Sequence, residues 1–270
     1  MTLIIGIKSS DGIVIGADSA ATISTPTGQP TVKQDVKKLE IISSNIIIGN
    51  SGQVGFCQKL KDELNIRIQE PKKDIRKIND KNKLKRELQE ILLRINEKDI
   101  EIGQKFNPIF PNLVKSNLTN HLLIALPFIN RPILLQFTIT FNIEEAEIGI
   151  PFASAGVIQP LADTFLAFIR SIFWEEKELP SFQMSIFSLI WTLDFCTKIA
   201  PGYVCGPFQV IELREKSGNC VAREIPNEEL EEHYESINSL LTRFKEYKND
   251  FFKIDEEVRK AIPQKPDTIK

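Results

Sequence analysis

The sequence contains few of the side chains that build metal sites or nucleic-acid-binding surfaces. Only two histidines occur in 270 residues, and the four cysteines lack the paired spacing of zinc ligands. Basic and acidic residues nearly balance, at 34 against 36, so a net charge of −2 gives no general attraction to nucleic acid or anionic membranes. We therefore expect no metal, no nucleic-acid partner, and cysteines that remain free thiols in a reducing compartment.

Long hydrophobic runs are also missing. The most apolar helical stretch, residues 186–195, is only about half of a membrane span and contains Asp194. The first residues show no basic segment ahead of an apolar core and no small-residue cleavage site, so they do not form a signal-peptide pattern. The sequence therefore predicts a protein without a transmembrane segment or a membrane partner, and we expect it to be cytoplasmic.

A strong β-hairpin signal is present at the start of the chain. Two apolar, β-branched runs flank the turn at residues 9–12, which contains Asp11 and Gly12. The returning strand ends in Asp18, so a carboxylate is brought back beside the first residues. Removal of Met1 would leave Thr2 with a hydroxyl and a free α-amine on adjacent carbons. A nucleophile and a base within one residue are the minimum for a catalytic hypothesis.

Groups of strands alternate with pairs of helices along the rest of the chain. The charged segment 72–85 is a solvated loop or a basic contact patch, and its composition favours the loop. The expected elements, in order, are a polar loop at 20–35, a hairpin at 36–50, helices near 53–69 and 85–100, a connector at 106–116, strands at 122–126, 133–139 and 146–150, a small-residue loop at 151–156, helices at 157–173 and 182–199, and a closing hairpin at 208–222.

Segregated strands and helix pairs predict an α+β fold with four layers, αββα, in which two antiparallel sheets lie between two helical layers. We expect this domain to span residues 1–225. Residues 226–270 then form a C-terminal extension with one amphipathic helix and a frayed tail. That helix either binds a partner or packs on its own domain.

The intervals between four of the first fifty-two residues are the basis for a comparison with a known family. Asp18 follows Thr2 by sixteen residues, Lys38 follows Val36-Lys37 ahead of a strand, and Gly52 stands fourteen residues beyond Lys38, before the first helix. In these intervals, and in its element order from Thr2 to about Ala222, the chain resembles the β-type subunits of the proteasome and the bacterial HslV peptidase. These proteins are N-terminal nucleophile (Ntn) hydrolases, and the resemblance implies their fold.

The resemblance also implies catalytic roles. Thr2 would be the nucleophile, with its own α-amine as the base. Lys38 would lower the pKa of both groups, and Asp18 would hold Lys38 in place. The backbone N–H of Gly52 would hold the oxyanion. Lys33 competes with Lys38 for the lysine role, but it lacks the strand that should follow.

Further positions follow from the same resemblance. Ser154 corresponds to a serine near the threonine amine, although alanines replace the flanking glycines. Residues 201–206 replace the family's Asp-x-x-Ser-Gly-Gly segment and contain neither its Asp nor its Ser. Small or aliphatic walls with a polar floor would suit a small or polar side chain before the scissile bond. The residues expected to line that pocket are Ala21, Val36, Asn50 and Val54.

The resemblance implies a threonine-type peptidase that acts on peptides or unfolded proteins. It also implies a homo-oligomeric ring, which in this family can work with an ATPase partner, and no organic cofactor. Two alternatives remain open. One is a catalytically silent ring subunit that retains Thr2 by descent, and the other is an Ntn amidase that acts on a small non-peptide amide.

Overall fold

Two five-stranded antiparallel sheets form the centre of the fold. The computed structural model describes residues 2–24, 30–106, 120–138 and 142–261, with the backbone alone at 21–24, 30–35, 106 and 249–261. The strands are β1 (Leu3–Lys8), β2 (Gly12–Ala17), β3 (Ala20–Ser24), β4 (Pro30–Asp35), β5 (Leu39–Ile42), β6 (Ile46–Ser51), β7 (His121–Phe128), β8 (Arg131–Phe137), β9 (Ile143–Glu145), β10 (Phe152–Gly156), β11 (Gln209–Lys216) and β12 (Asn219–Glu224).

The first sheet has the order β10-β1-β2-β11-β12 and the second has the order β5-β6-β7-β8-β9. Alternate residues of β1 face opposite sides, as the period of a strand requires. Leu3 and Ile5 pack in one apolar cluster, whereas Ile4 packs in another with residues of the second sheet, such as Ile47 and Leu123. Because both faces of the strand are covered, its sequence is an almost unbroken apolar run.

Helices cover the outer faces of the two sheets. The helices are α1 (Val54–Gln69), α2 (Lys81–Phe106), α3 (Gln159–Phe173), α4 (Phe182–Ile199) and α5 (Asn227–Ala261), with a short 3-10 turn at Ile75–Lys77. The first two pack on the second sheet, and α3 and α4 pack on the first. The four layers expected from the sequence are therefore confirmed.

The last helix packs on this body over its first part. Leu230 and Ile237 are buried in the cluster that contains the apolar residues of α3 and α4. Of the two alternatives that the sequence leaves for this helix, the first part of the helix therefore shows packing on its own domain. No helix within the described ranges is long and apolar enough to cross a membrane.

Residues 20–35 differ from the prediction of a loop. The strands β3 and β4 pair there as a two-stranded antiparallel ribbon. Its threonines, Ile23 and Val32 favour extended backbone, and Pro30 is tolerated because it is the first residue of its strand. Residues 25–29 of the predicted loop lie outside the described part of the chain, as do residues 107–116 of the predicted connector and the predicted tail at 264–270.

The strands near residue 150 also differ from the prediction. Residues 152–156, predicted as part of a loop, form β10 and pair with β1. Its small side chains, Ala153 and Ala155, fit between the two sheets, where larger ones would hold the sheets apart. The strand predicted at 146–150 is replaced by β9 three residues earlier, and only the isolated bridge between Glu147 and Ile150 remains.

Candidate active site

A buried ion pair between Asp18 and Lys38 lies at the centre of the candidate site. Lys38 Nζ is 2.6 Å from Asp18 Oδ1, and the two side chains are 5% and 0% exposed. Asp18 directly follows β2, and Lys38 directly precedes β5, so the pair joins the first sheet to the second. Because water cannot replace either partner, the pair is not a surface contact of little energetic value.

The Asp18 carboxylate is also fixed by two backbone donors. Leu3 N–H donates to Oδ1 at 2.8 Å, and Ala20 N–H donates to Oδ2 at 3.1 Å. The β1–β2 hairpin creates the first of these contacts, since it pairs Ile4 with Ala17. The carboxylate is therefore held beside the peptide group that follows Thr2.

The electrostatic environment of Lys38 weakens its hold on a proton. Burial lowers the pKa of the Lys38 ammonium below its ordinary 10.5, and the neighbouring Asp18 carboxylate opposes that shift. The result is a cation placed in a poorly solvated setting, where its field is screened less than at the surface. Such a charge acts strongly on an amine or a hydroxyl close to it.

Both sheets also hold the backbone of Lys38. Its N–H donates to Gln209 Oε1 of β11 at 2.7 Å, and its carbonyl accepts from Asn50 N–H of β6 at 3.3 Å. Leu39 N–H donates to the same Gln209 oxygen at 3.4 Å. Sequence reasoning missed Gln209, because it lies 171 residues from Lys38 in a strand with no apparent role in the site.

A cavity of about 290 Å³ lies in front of the ion pair. Thr2, Lys38 and Gly52 line it together, so three of the predicted catalytic residues meet at one space. Asp18 stands behind Lys38. Three of the predicted pocket residues also line the cavity: Val36, Asn50 and Val54. Ala21 of β3 pairs with Gln34 of β4, and only the backbone of these two residues is described.

Polar and charged side chains also line the cavity. Glu40 and Lys61 form an ion pair of 2.9 Å in the lining, which also includes Lys37, Cys57 and Gln58. Burial raises the pKa of the Cys57 thiol to about 11, so this cysteine is neutral and unreactive near neutral pH. The cavity therefore has charged and polar side chains in its lining. The preference predicted for a small or polar side chain before the scissile bond stays a prediction.

The turn that carries Gly52 is held from two directions. The residue after it, Gln53, is the N-cap of α1. Gln53 N–H donates to Asn120 Oδ1 at 3.0 Å, and Gln53 carbonyl accepts from Asn50 Nδ2 at 3.1 Å. These bonds fix the residue next to Gly52 at a helix N-terminus, where backbone N–H groups favour negative charge. Asn120 is a second residue that sequence reasoning missed.

Gly156 lies very close to the backbone of Thr2. It pairs with Leu3 at the end of β10, and its φ of +122° is a conformation that residues with a side chain rarely adopt. A Cβ at this position would lie 1.9 Å from the Thr2 carbonyl oxygen. Only glycine therefore lets β10 approach the candidate nucleophile. In the sequence, the only indication of this close approach was the pair of small residues Ala155-Gly156.

Ser154 is not brought to the cavity. Its hydroxyl donates to Asp163 Oδ1 of α3 at 2.5 Å, and its neighbour in the β1–β10 register is Ile5, which faces the α3 and α4 layer. Ser154 therefore faces away from the space between the sheets, because alternate residues of a strand point to opposite faces. The predicted position beside the Thr2 amine does not agree with this placement.

Residues 201–206 contact the site through their backbone. The Cys205 carbonyl accepts from Ser19 N–H at 3.1 Å, one residue beyond Asp18. In turn, the Ser19 carbonyl accepts from Val36 N–H at 2.9 Å, two residues before Lys38. The segment in which the family's Asp and Ser are absent thus still supports the strand ends that carry the ion pair.

Comparisons with known proteins show which family model and which solved structures this chain resembles. Residues 2–102 match the family model of the proteasome subunit, and this segment contains Thr2, Asp18, Lys38 and Gly52. The structure of Anbu (ancestral beta-subunit) from Yersinia bercovieri is similar, with a TM-score of 0.64 at 13% identity over 90% of this chain and 96% of that chain. No curated protein sequence matches the chain.

A mutant Anbu (Gly-1) from Hyphomicrobium sp. strain MC1 has the same fold, with a TM-score of 0.57 at 11% identity over 98% of this chain and 100% of that chain. Identities this low establish the fold alone. The resemblance to proteasome β-type subunits is confirmed, as is the four-layer Ntn hydrolase fold with its additional C-terminal helix.

Proposed function

We propose that this chain is an N-terminal threonine peptidase of the proteasome type, active once Met1 has been removed from Thr2. The observation that carries the proposal is the buried Lys38–Asp18 pair of 2.6 Å beside a cavity that Thr2 and Gly52 also line. A hydroxyl, a cation and a backbone N–H at a helix N-terminus around one small space are the parts that acyl transfer requires.

In the proposed reaction, the Thr2 hydroxyl attacks the carbonyl carbon of the substrate peptide bond. The α-amine of Thr2 takes the hydroxyl proton, through a water molecule, because its ordinary pKa lies near 8. Lys38 favours the neutral amine and the developing alkoxide electrostatically. The Gly52 N–H donates to the oxyanion of the tetrahedral intermediate, a contact that is worth about 3 kcal/mol in related chemistry.

Collapse of the intermediate breaks the C–N bond, and the leaving amine takes the proton from the α-amine. An ester between the substrate acyl group and the Thr2 oxygen remains. Water then attacks this ester with the same amine as base, which releases the acid and restores the hydroxyl. Every proton taken up is returned, so the cycle needs no cofactor. We further propose that the protein works in the cytoplasm as a homo-oligomeric ring on peptides or unfolded proteins.

A catalytically silent subunit is the second candidate. The placement of Ser154 against Asp163 favours it, because that hydroxyl is then absent from the surroundings of the Thr2 amine. Hydrolysis of a peptide library and of an unfolded protein distinguishes the two, with Thr2→Ala and Thr2→Ser as matched variants. We expect hydrolysis by the wild type and by Thr2→Ser, and none by Thr2→Ala. Equal rates in wild type and Thr2→Ala would disprove the peptidase.

A further inference from the structure

One stretch of five residues, 205–209, contacts both segments that carry the ion pair. At one end, the Cys205 carbonyl accepts from Ser19 N–H, next to Asp18. At the other end, the Gln209 backbone pairs with Ala17, on the other side of Asp18. The Gln209 side chain then reaches across to accept from Lys38 N–H at 2.7 Å. The stretch thereby connects the two halves of the pair.

We propose that Gln209 is a positioning residue that holds Lys38 in register with Asp18. This inference rests on the proposed function for its catalytic consequence, although the contact itself does not. Gln209 does not line the cavity, so it has no contact with a substrate there. It acts through the backbone of Lys38.

The physical need for such a residue follows from the position of Lys38. Lys38 immediately precedes β5, the edge strand of the second sheet, and it lies outside the register that pairs β5 with β6. Its backbone bonds reach one residue of each sheet, Gln209 and Asn50. The lysine side chain is long and has several rotatable bonds, so the ammonium is placed reproducibly only if the backbone is fixed. A glutamine oxygen can accept from two N–H groups, and here it accepts from Lys38 and Leu39.

Three variants separate positioning from general stability. Gln209→Leu has a similar size but no acceptor, and Gln209→Glu retains an acceptor and adds a charge. The matched control is Gln136→Leu, because the Gln136 side chain also makes a hydrogen bond to the backbone, at 2.8 Å to the Ser154 carbonyl, away from the cavity. The measurements are kcat and KM for a peptide substrate, and hydrogen exchange of the Lys38 and Leu39 amides by mass spectrometry.

We expect Gln209→Leu to lower kcat by about tenfold to a hundredfold with KM unchanged, since a shift of roughly 1 Å at a catalytic group has effects of that size. The Lys38 and Leu39 amides should exchange faster in this variant. Gln209→Glu should keep both the rate and the slow exchange. Its added carboxylate raises the pKa of the Lys38 ammonium, so the loss of activity at high pH should move to higher pH. Among the described side chains, Asp18 and Cys205 act on the pKa of Lys38, and Lys37, Glu40 and Lys61 line the same cavity. No variant changes any of these groups.

Two results would overturn the inference: an unchanged kcat in Gln209→Leu, whether or not its amides exchange faster, or an equal loss of kcat in Gln136→Leu. If the wild type shows no hydrolysis, the proposed function fails. The exchange of the Lys38 and Leu39 amides then decides the positioning role alone. Unchanged exchange in Gln209→Leu would refute it, and faster exchange in that variant alone would support it.

Discussion

The close approach of Gly156 to Thr2 makes Gly156→Ala an informative perturbation. The new Cβ would stand 1.9 Å from the Thr2 carbonyl oxygen, whereas real Cβ contacts essentially never fall below 3.0 Å. Either β10 or the Thr2 backbone must therefore move by roughly 1 Å, a shift that lowers the rate of a well-aligned reaction by about a hundredfold. The φ of +122° adds strain of about 1–3 kcal/mol to the folded state.

Gly218→Ala is the matched control, because Gly218 has a φ of +80° but nothing within 4 Å of the position that a Cβ would take. It should lose stability from strain while its rate stays that of the wild type. The rate of covalent labelling of Thr2 by a β-lactone, measured by intact mass, reports the reactivity, and urea unfolding reports the stability. Labelling of folded Gly156→Ala at the wild-type rate would refute the claim that β10 sets the position of Thr2.

Two further predictions concern Lys38. Lys38→Ala should abolish peptide hydrolysis without preventing folding or assembly. It should also lower the free energy of unfolding by about 3 kcal/mol, because Asp18 loses its buried partner. Normal turnover in this variant would show that the lysine assignment is wrong. In the wild type, activity should fall as pH rises through the lowered pKa of Lys38, because the ammonium is lost. Between that pKa and 10.5, the unfolded chain binds a proton that the folded chain has released. The contribution of Lys38 to the free energy of unfolding should therefore rise with pH, and a wild-type minus Lys38→Ala difference that stays flat there would contradict the burial argument.

The sequence predicted the parts of the fold that depend on local pattern. Helix α4 has the predicted bounds of Phe182 and Ile199, and the β1–β2 hairpin turns at Asp11 and Gly12 as expected. Strong periodicity and turn chemistry act within a few residues, so one segment contains the whole signal. The ribbon at 20–35 was missed because its polar composition resembles that of a loop.

The candidate site divides in the same way. Thr2, Asp18, Lys38 and Gly52 were predicted because their intervals match those of proteasome β-type subunits, and the structure places them around or behind one cavity. Gln209 and Asn120 were missed because their contacts, with Lys38 and Gln53, span 171 and 67 residues. Such contacts depend on how distant strands are arranged, which no local pattern records.

Ser154 illustrates a different limit. Its small-residue surroundings match the family's serine-containing loop, and this resemblance implied a role beside Thr2. Whether a strand residue faces the cavity, however, depends on register. A shift of one residue reverses the face of every side chain in the strand. The prediction treated residues 151–156 as a loop, so it had no register from which to find that Ser154 faces α3.

The most direct test of the proposed function is the intact mass of the purified protein before and after reaction with a β-lactone or an epoxyketone. We predict a mass that lacks Met1, and a single adduct that forms in the wild type and is absent in Thr2→Ala. A protein that retains Met1 and forms no adduct would contradict the account, because the α-amine of Thr2 would then be held in a peptide bond and unable to act as the base.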